Sequence, residues 1–188
     1  MLKIRFITFL LFSSVFFSCE ENTLPKPSAF LRLEYPEATH NFHQNRGRFS
    51  FFYNSNAIVV EKRNRDWIDL KYPFLKATLV LTYSPVKKNL RALLQDAEKL
   101  TFKHAIKADD IQSVPYENIT NEVYGKMYEV YGNTATQIQF YATDSVANFI
   151  TGALYFYARP NYDSLYPAVA HLRKDIIHLM ETLVWEEQ

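Results

Sequence analysis

Cysteine occurs once in this 188-residue chain, at Cys19, and glycine only four times. A single thiol excludes an intramolecular disulfide and any cysteine-rich zinc site. Four glycines leave no Gly-rich phosphate loop, and neither a Walker nor a Rossmann pattern occurs. There is no G-x-S-x-G elbow, so the serines, histidines and aspartates present do not by composition make a triad. Charge of one sign is not in excess: 21 Lys and Arg stand against 20 Asp and Glu, for a formal net charge of +1. A nucleic-acid binder gathers a basic excess on one face, and the balance offers none. What is abundant is aromatic, with 15 Phe and 13 Tyr in a chain that is 48% hydrophobic and 22% charged. Those are globular proportions, and the length suits one domain with a full core.

The first residues read as an export leader. Lys3 and Arg5 form a positive end, Phe6 to Phe17 is a short apolar core, and Ser18 is the small residue before Cys19. The core is shorter than the roughly 20 apolar residues that cross a bilayer, and it suits a signal peptide. The order resembles a bacterial lipoprotein signal, in which the cysteine thiol receives diacylglycerol and its amine becomes the new N-terminus. Phe16 stands where the common lipobox carries an aliphatic residue. On this reading residues 1–18 are the lipoprotein signal peptide, 19–28 a lipid-anchored linker and 29–188 a single domain. One acyl chain such as palmitate binds membranes marginally, at about 0.8 kcal/mol per buried CH₂; two or three chains on Cys19 make a lasting anchor. Glu20 and Glu21 resemble the surface-export signals of Bacteroidota lipoproteins, with a solvated acidic linker as the plain alternative. Pro25 and Pro27 favour an extended stand-off.

Downstream, short runs alternate apolar and polar residues, the period of a half-buried strand. Strands are expected at Phe30 to Tyr35, Phe49 to Tyr53 with a continuation at Ala57 to Val60, Trp67 to Tyr72, and Lys76 to Tyr83. Glu122 to Tyr131 and Thr136 to Thr143 follow the same pattern, and Asn148 to Tyr157 is apolar on both faces, as a central strand would be. Glu37 to Arg48 reads as a loop and Asp109 to Pro115 as a connection. Helical spacing appears twice. Leu90, Leu93, Leu94, Ala97 and Leu100 mark a helix over about Lys88 to Ala105. Leu165, Val169, Leu172, Ile176, Met180 and Leu183 mark a longer one to Trp185. The expectation is an α+β fold: an antiparallel sheet of about six to seven strands with two packed helices, after the N-terminal lipoprotein signal.

Candidate sites are few. His40 and His43 have H-x-x-H spacing, but zinc needs further ligands, and solvated loop histidines are the plainer reading. His171 and His178 are two helical turns apart, too far for one metal. His104 falls near a helix C-terminus, where a cation is favoured by the dipole. No metal or cofactor is expected. Tyr124, Tyr128, Tyr131, Tyr155 and Tyr157 form either a partner surface or a layer packed under a helix, the second being plainer. Arg32, Glu34 and Tyr35 are candidate partner contacts. Ser145 and Ser164 sit in the Asp-Ser-apolar pattern of O-glycosylated Bacteroidota proteins and are candidate glycosylation sites.

Cys19, the Leu24-Pro25-Lys26-Pro27 spacer and Leu31-Arg32-Leu33-Glu34-Tyr35-Pro36 together are similar to the gliding motility lipoprotein GldD family of Bacteroidota. The segment from Asp96 to Asp109 is similar to that family too, and the resemblance runs through the mature chain. It implies a lipid-anchored, non-enzymatic cell-envelope protein required for gliding, facing the periplasm or the cell surface. The implied partners are the membrane and other gliding or secretion proteins, including the type IX machinery that exports adhesins, with no nucleic acid. The family has no established catalytic residues, so Cys19 alone transfers as a site. The alternative is an envelope lipoprotein that binds a small ligand between the sheet and a helix.

Overall fold

In a computed structural model the chain is described over residues 34–62, 66–104 and 108–186. The backbone passes through β1 (His40–Asn45), β2 (Phe49–Asn54), β3 (Ile58–Glu61), β4 (Trp67–Tyr72) and β5 (Ala77–Pro85) before α1 (Leu90–His104). Then come β6 (Ala108–Asn118), β7 (Val123–Gly132), β8 (Thr136–Thr143) and β9 (Asn148–Phe156). The chain closes with α2 (Tyr162–Glu181) and a two-residue strand, β10 (Val184–Trp185). Seven strands form one sheet in the order β3-β4-β5-β9-β8-β7-β6, and β1, β2 and β10 form a second with β2 in the middle. All the strand pairs are antiparallel. The α+β architecture is the expected one, and the three-stranded sheet is an addition to it.

β9 lies between β5 and β8, which explains its apolar character on both faces. Leu79 and Leu81 of β5, Ile138 of β8 and Leu154 of β9 are fully buried with Leu172 and Ile176 of α2. Burying each such side chain contributes about 1.5–3 kcal/mol. Phe49 and Phe51 of β2 join the same core, so the small sheet and the large one share one interior.

The helices lie on opposite faces of the large sheet. Successive strand residues point to opposite faces. On β7, the Tyr128 hydroxyl donates to Glu98 of α1 at 3.2 Å, whereas its neighbour Glu129 accepts from Arg173 of α2 at 2.7 Å. α2 seals the main core. α1 is held more lightly: its Leu93, Leu94 and Ala97 are half-buried and Leu100 is exposed. Its one buried polar tie to the sheet among the described residues is Thr101, whose hydroxyl donates to Gln139 of β8 at 3.3 Å.

Three expectations fail, each for an identifiable reason. Glu37 to Arg48 is not all loop, because β1 pairs with β2 from His40↔Asn54 to Asn45↔Phe49. Its polar composition is that of a strand at a sheet edge, ordered by its partner rather than by apolar alternation. Arg46 and Gly47 both have positive φ, at 47° and 73°, and Arg48 N–H closes the hairpin on the Asn45 carbonyl at 2.9 Å. This is the primed turn that suits hairpin twist. Asp109 to Pro115 is no connection but part of β6, an edge strand whose Pro115 has no N–H to offer. The last helix ends at Glu181, where the chain turns so that β10 can pair with β2. Of the strand expected at Phe30 to Tyr35, residues 30–33 lie outside the described residues; Glu34 and Tyr35 are in irregular structure.

Candidate functional site

His171, Asp175 and His178 stand on one flank of α2, since residues three and four apart on a helix are neighbours. Asn54 of β2 donates its side-chain amide to Asp175 at 2.9 Å, and its carbonyl oxygen accepts from the Asn56 backbone N–H at 2.9 Å. The His40 ring of β1 lies 3.9 Å from the His178 ring, tilted by 37°. Tyr35 lies flat on His171, at 4.0 Å and 9°. The segment that leads into the domain is thus strapped to the middle of α2, and a buried carboxylate sits among three imidazoles.

Burial sets the electrostatics here. It pushes the Asp175 carboxyl up, while the Asn54 bond and the charges of His171, His40 and His178 pull it back. It lowers His171, against the opposing pull of Asp175. It also raises the phenol of Tyr72 at the end of β4, with the Asp175 charge adding to the effect. Beside the strap a cavity of about 320 Å³ is walled by Tyr35, Pro36, Tyr72, Phe74, Leu75 and His171. The Tyr35 hydroxyl is buried without a hydrogen-bond partner. Among the described residues no group of three His, Cys, Asp or Glu is placed to hold a metal ion.

The two H-x-x-H histidines separate, because residues three apart on a strand face opposite ways. His40 turns to His178. His43 turns inward to Phe51 and Tyr53, with Glu61 at 3.7 Å, too long for a hydrogen bond. Burial lowers His43 below its ordinary value, with Glu61 pulling the other way. His171 and His178, two turns apart on the helix, flank one carboxylate, Asp175. The sequence reading missed that carboxylate, although Asp175 interrupts the apolar stripe between Leu172 and Ile176. It also missed Asn54 and Tyr72.

Among the candidate partner contacts, Glu34 is exposed, Tyr35 is half-buried in the stack and Arg32 lies outside the described residues. Cys19 lies outside them too, as does the side chain of His104. The tyrosines do not form one surface. Tyr128 is buried against α1, Tyr131 meets Tyr162 of α2 at 5.8 Å, and Tyr157 is exposed with its hydroxyl 3.1 Å from Thr78. Ser145 is exposed in a loop that Asp144 shapes by accepting from the backbone of Val146, Ala147 and Asn148. Ser164 is exposed in the first turn of α2, its N–H on the side chain of Asn161 at 3.4 Å.

A family model described as gliding motility lipoprotein GldD matches residues 20–185. No curated protein matches the chain.

Proposed function

The chain belongs to the gliding motility lipoprotein GldD family, and from that membership we propose that it is a non-enzymatic component or assembly factor associated with the type IX secretion machinery. The family match carries this reading. The anchor is lipid on Cys19, after cleavage of residues 1–18, with residues 19–28 as linker and the domain starting at residue 29. Among the described residues no helix is long and apolar enough to cross a membrane. The mechanism is tethering: lipid restricts the domain to an envelope surface and raises its effective concentration for other gliding and secretion proteins. From Cys19 to Glu34 the chain reaches at most about 50 Å. The Tyr35–His171 stack fixes the domain end of that stretch to α2. Glu34, exposed just ahead of the stack, is a proposed contact for a neighbouring envelope protein, with Arg32 and Tyr35 as further candidates.

The test is a clean deletion complemented with wild type or with Cys19→Ala. Deletion abolishes spreading and adhesin export, wild type restores both, and the Cys19→Ala protein neither takes up labelled palmitate nor restores gliding. Normal gliding in the deletion strain overturns the reading. Exposed Ser145 and Ser164 are proposed as O-glycosylation sites, checked by the mass of their peptides from the exported protein; unmodified peptides remove them.

A further inference from the structure

The antiparallel register gathers one set of chain turns at one end of the molecule. β1 begins there and β2 ends there, at His40↔Asn54. β4 turns into β5 there, at Tyr72↔Ala77, and β9 ends there, at Ala77↔Phe156. The described chain enters the domain at this same end, because Tyr35 and Pro36 wall the cavity of about 320 Å³ together with Phe74. Phe74 stands at the tip of the β4–β5 turn and is 75% exposed, more than any other aromatic side chain among the described residues. The turn is fixed: Pro73 sets φ at its start, Lys76 takes the left-handed conformation at 48°, and the Lys76 N–H closes on the Pro73 carbonyl at 3.2 Å. Tyr157, 69% exposed, flanks the turn and donates its N–H to the Lys76 carbonyl at 2.8 Å. Two aromatic rings are thus held bare on ordered backbone, where covering them loses little entropy.

We infer that this end of the domain faces the bilayer, with Phe74 and Tyr157 seated in the headgroup layer of zwitterionic lipid. The inference rests on the Cys19 tether proposed above and deepens it. A surface at the entry of a tether meets the membrane at high effective concentration. Ile119 and Val146 are about as bare at the opposite end, but the chain does not enter there. Aromatic rings with one apolar and one wet side suit the membrane interface. Pro36, Pro73 and Pro160 are exposed on the same end and bring no N–H, so immersing them strips fewer donors of water. Lys71, Lys76 and Arg159 are exposed there against exposed Glu34, Glu37 and Asp163. That balance suits zwitterionic headgroups and gives an anionic polymer no hold.

The experiment exploits Cys19 as the single cysteine: once it carries lipid, a cysteine introduced elsewhere is the sole free thiol. The full lipidated chain is reconstituted in phosphatidylcholine vesicles with a nitroxide on Phe74→Cys, or on Val146→Cys at the opposite end. Phe74 lies outside the buried core, so its replacement keeps the fold. EPR power saturation reads collision with oxygen, which concentrates in lipid, and with a water-soluble nickel chelate. The label at 74 is expected to favour oxygen and to be shielded from nickel, and the label at 146 to show the reverse. Equal nickel access at the two positions, in a chain that floats with the vesicles, overturns the inference alone. Shielding of position 74 in native envelope membranes but not in vesicles also overturns it and assigns this end to a protein. A wild-type chain that takes up the thiol label and fails to float with vesicles overturns the tether and this inference together.

Discussion

The Tyr35 ring lies parallel to the His171 imidazole at 4.0 Å, and this stack fastens the segment entering the domain to α2. From there the connection runs inward. Asp175, one turn on, accepts from Asn54 of β2, and Thr182, just past the helix, accepts from the Phe52 N–H at 3.0 Å. A pull on residue 34 is therefore delivered to the interface between α2 and the small sheet.

If the stack is what holds residues 34–39 down, Tyr35→Ala frees them without unfolding the domain. Aromatic pairs contribute about 0.5–1.5 kcal/mol beyond their buried area, so the loss of global stability is small. Limited proteolysis is expected to cut the variant before His40 while wild type resists, with only a slight fall in Tm. Equal resistance in the two proteins shows that the strap is held by something other than this ring.

Asp175 separates two effects that a single truncation would merge. Its carboxyl is raised by burial, so folding disfavours the charged form. Asp175→Asn removes that charge and keeps an oxygen to accept from Asn54. Its stability at neutral pH is expected to equal or exceed that of wild type. Asp175→Ala leaves the Asn54 amide without its partner and costs about 1–3 kcal/mol. Urea titration of the two variants reads the difference, and loss of stability in both alike sinks the argument.

The sequence made the large sheet legible because its strands alternate cleanly. Leu79 and Leu81 on β5 and Ile138 on β8 mark one face without help from distant residues. β1 was hidden for the opposite reason: Phe42 is its single apolar residue, and its order comes from pairing with β2 across the Arg46-Gly47 turn. β6 was masked by Pro115, which reads as a breaker unless the strand is known to be at an edge. The histidine cluster was half visible. The helical spacing of His171, Asp175 and His178 is local, but His40, Asn54 and Tyr35 reach it only through the tertiary fold.

The half-buried histidines each contribute a pH dependence of definite sign. His43 and His171 are both lowered by burial. The unfolded chain therefore binds these protons more readily than the folded one. Their contribution is complete above the ordinary histidine value of about 6.5, and it is lost as pH falls through the depressed folded values. Asp175 acts oppositely: its contribution is present below its ordinary value and is lost as pH rises through the elevated folded one. Between pH 7 and pH 5 the two histidines lower Tm and Asp175 opposes them. His171→Gln is expected to shrink that lowering; a variant with the wild-type Tm difference between the two pH values removes His171 as a source.

Gly152 is the position where the large sheet tolerates least change. It lies directly across from Phe140 in the β8–β9 ladder, and a Cβ on residue 152 would run into the Phe140 ring. Phe140 is buried in the core and cannot swing out to solvent. Overfilling such a site costs about 1–3 kcal/mol, so Gly152→Ala is expected to lose that much in chemical denaturation. The cause is the ring, not a backbone requirement for glycine, and a double-mutant cycle separates the two. Phe140→Leu alone destabilises by opening a cavity, but combined with Gly152→Ala the added methyl occupies part of that space. The pair is then less destabilising than the sum of the single changes, by about 0.5–3 kcal/mol for residues in contact. Strict additivity means that alanine at 152 acts through the backbone of β9 and that the Phe140 ring does not decide the residue opposite it.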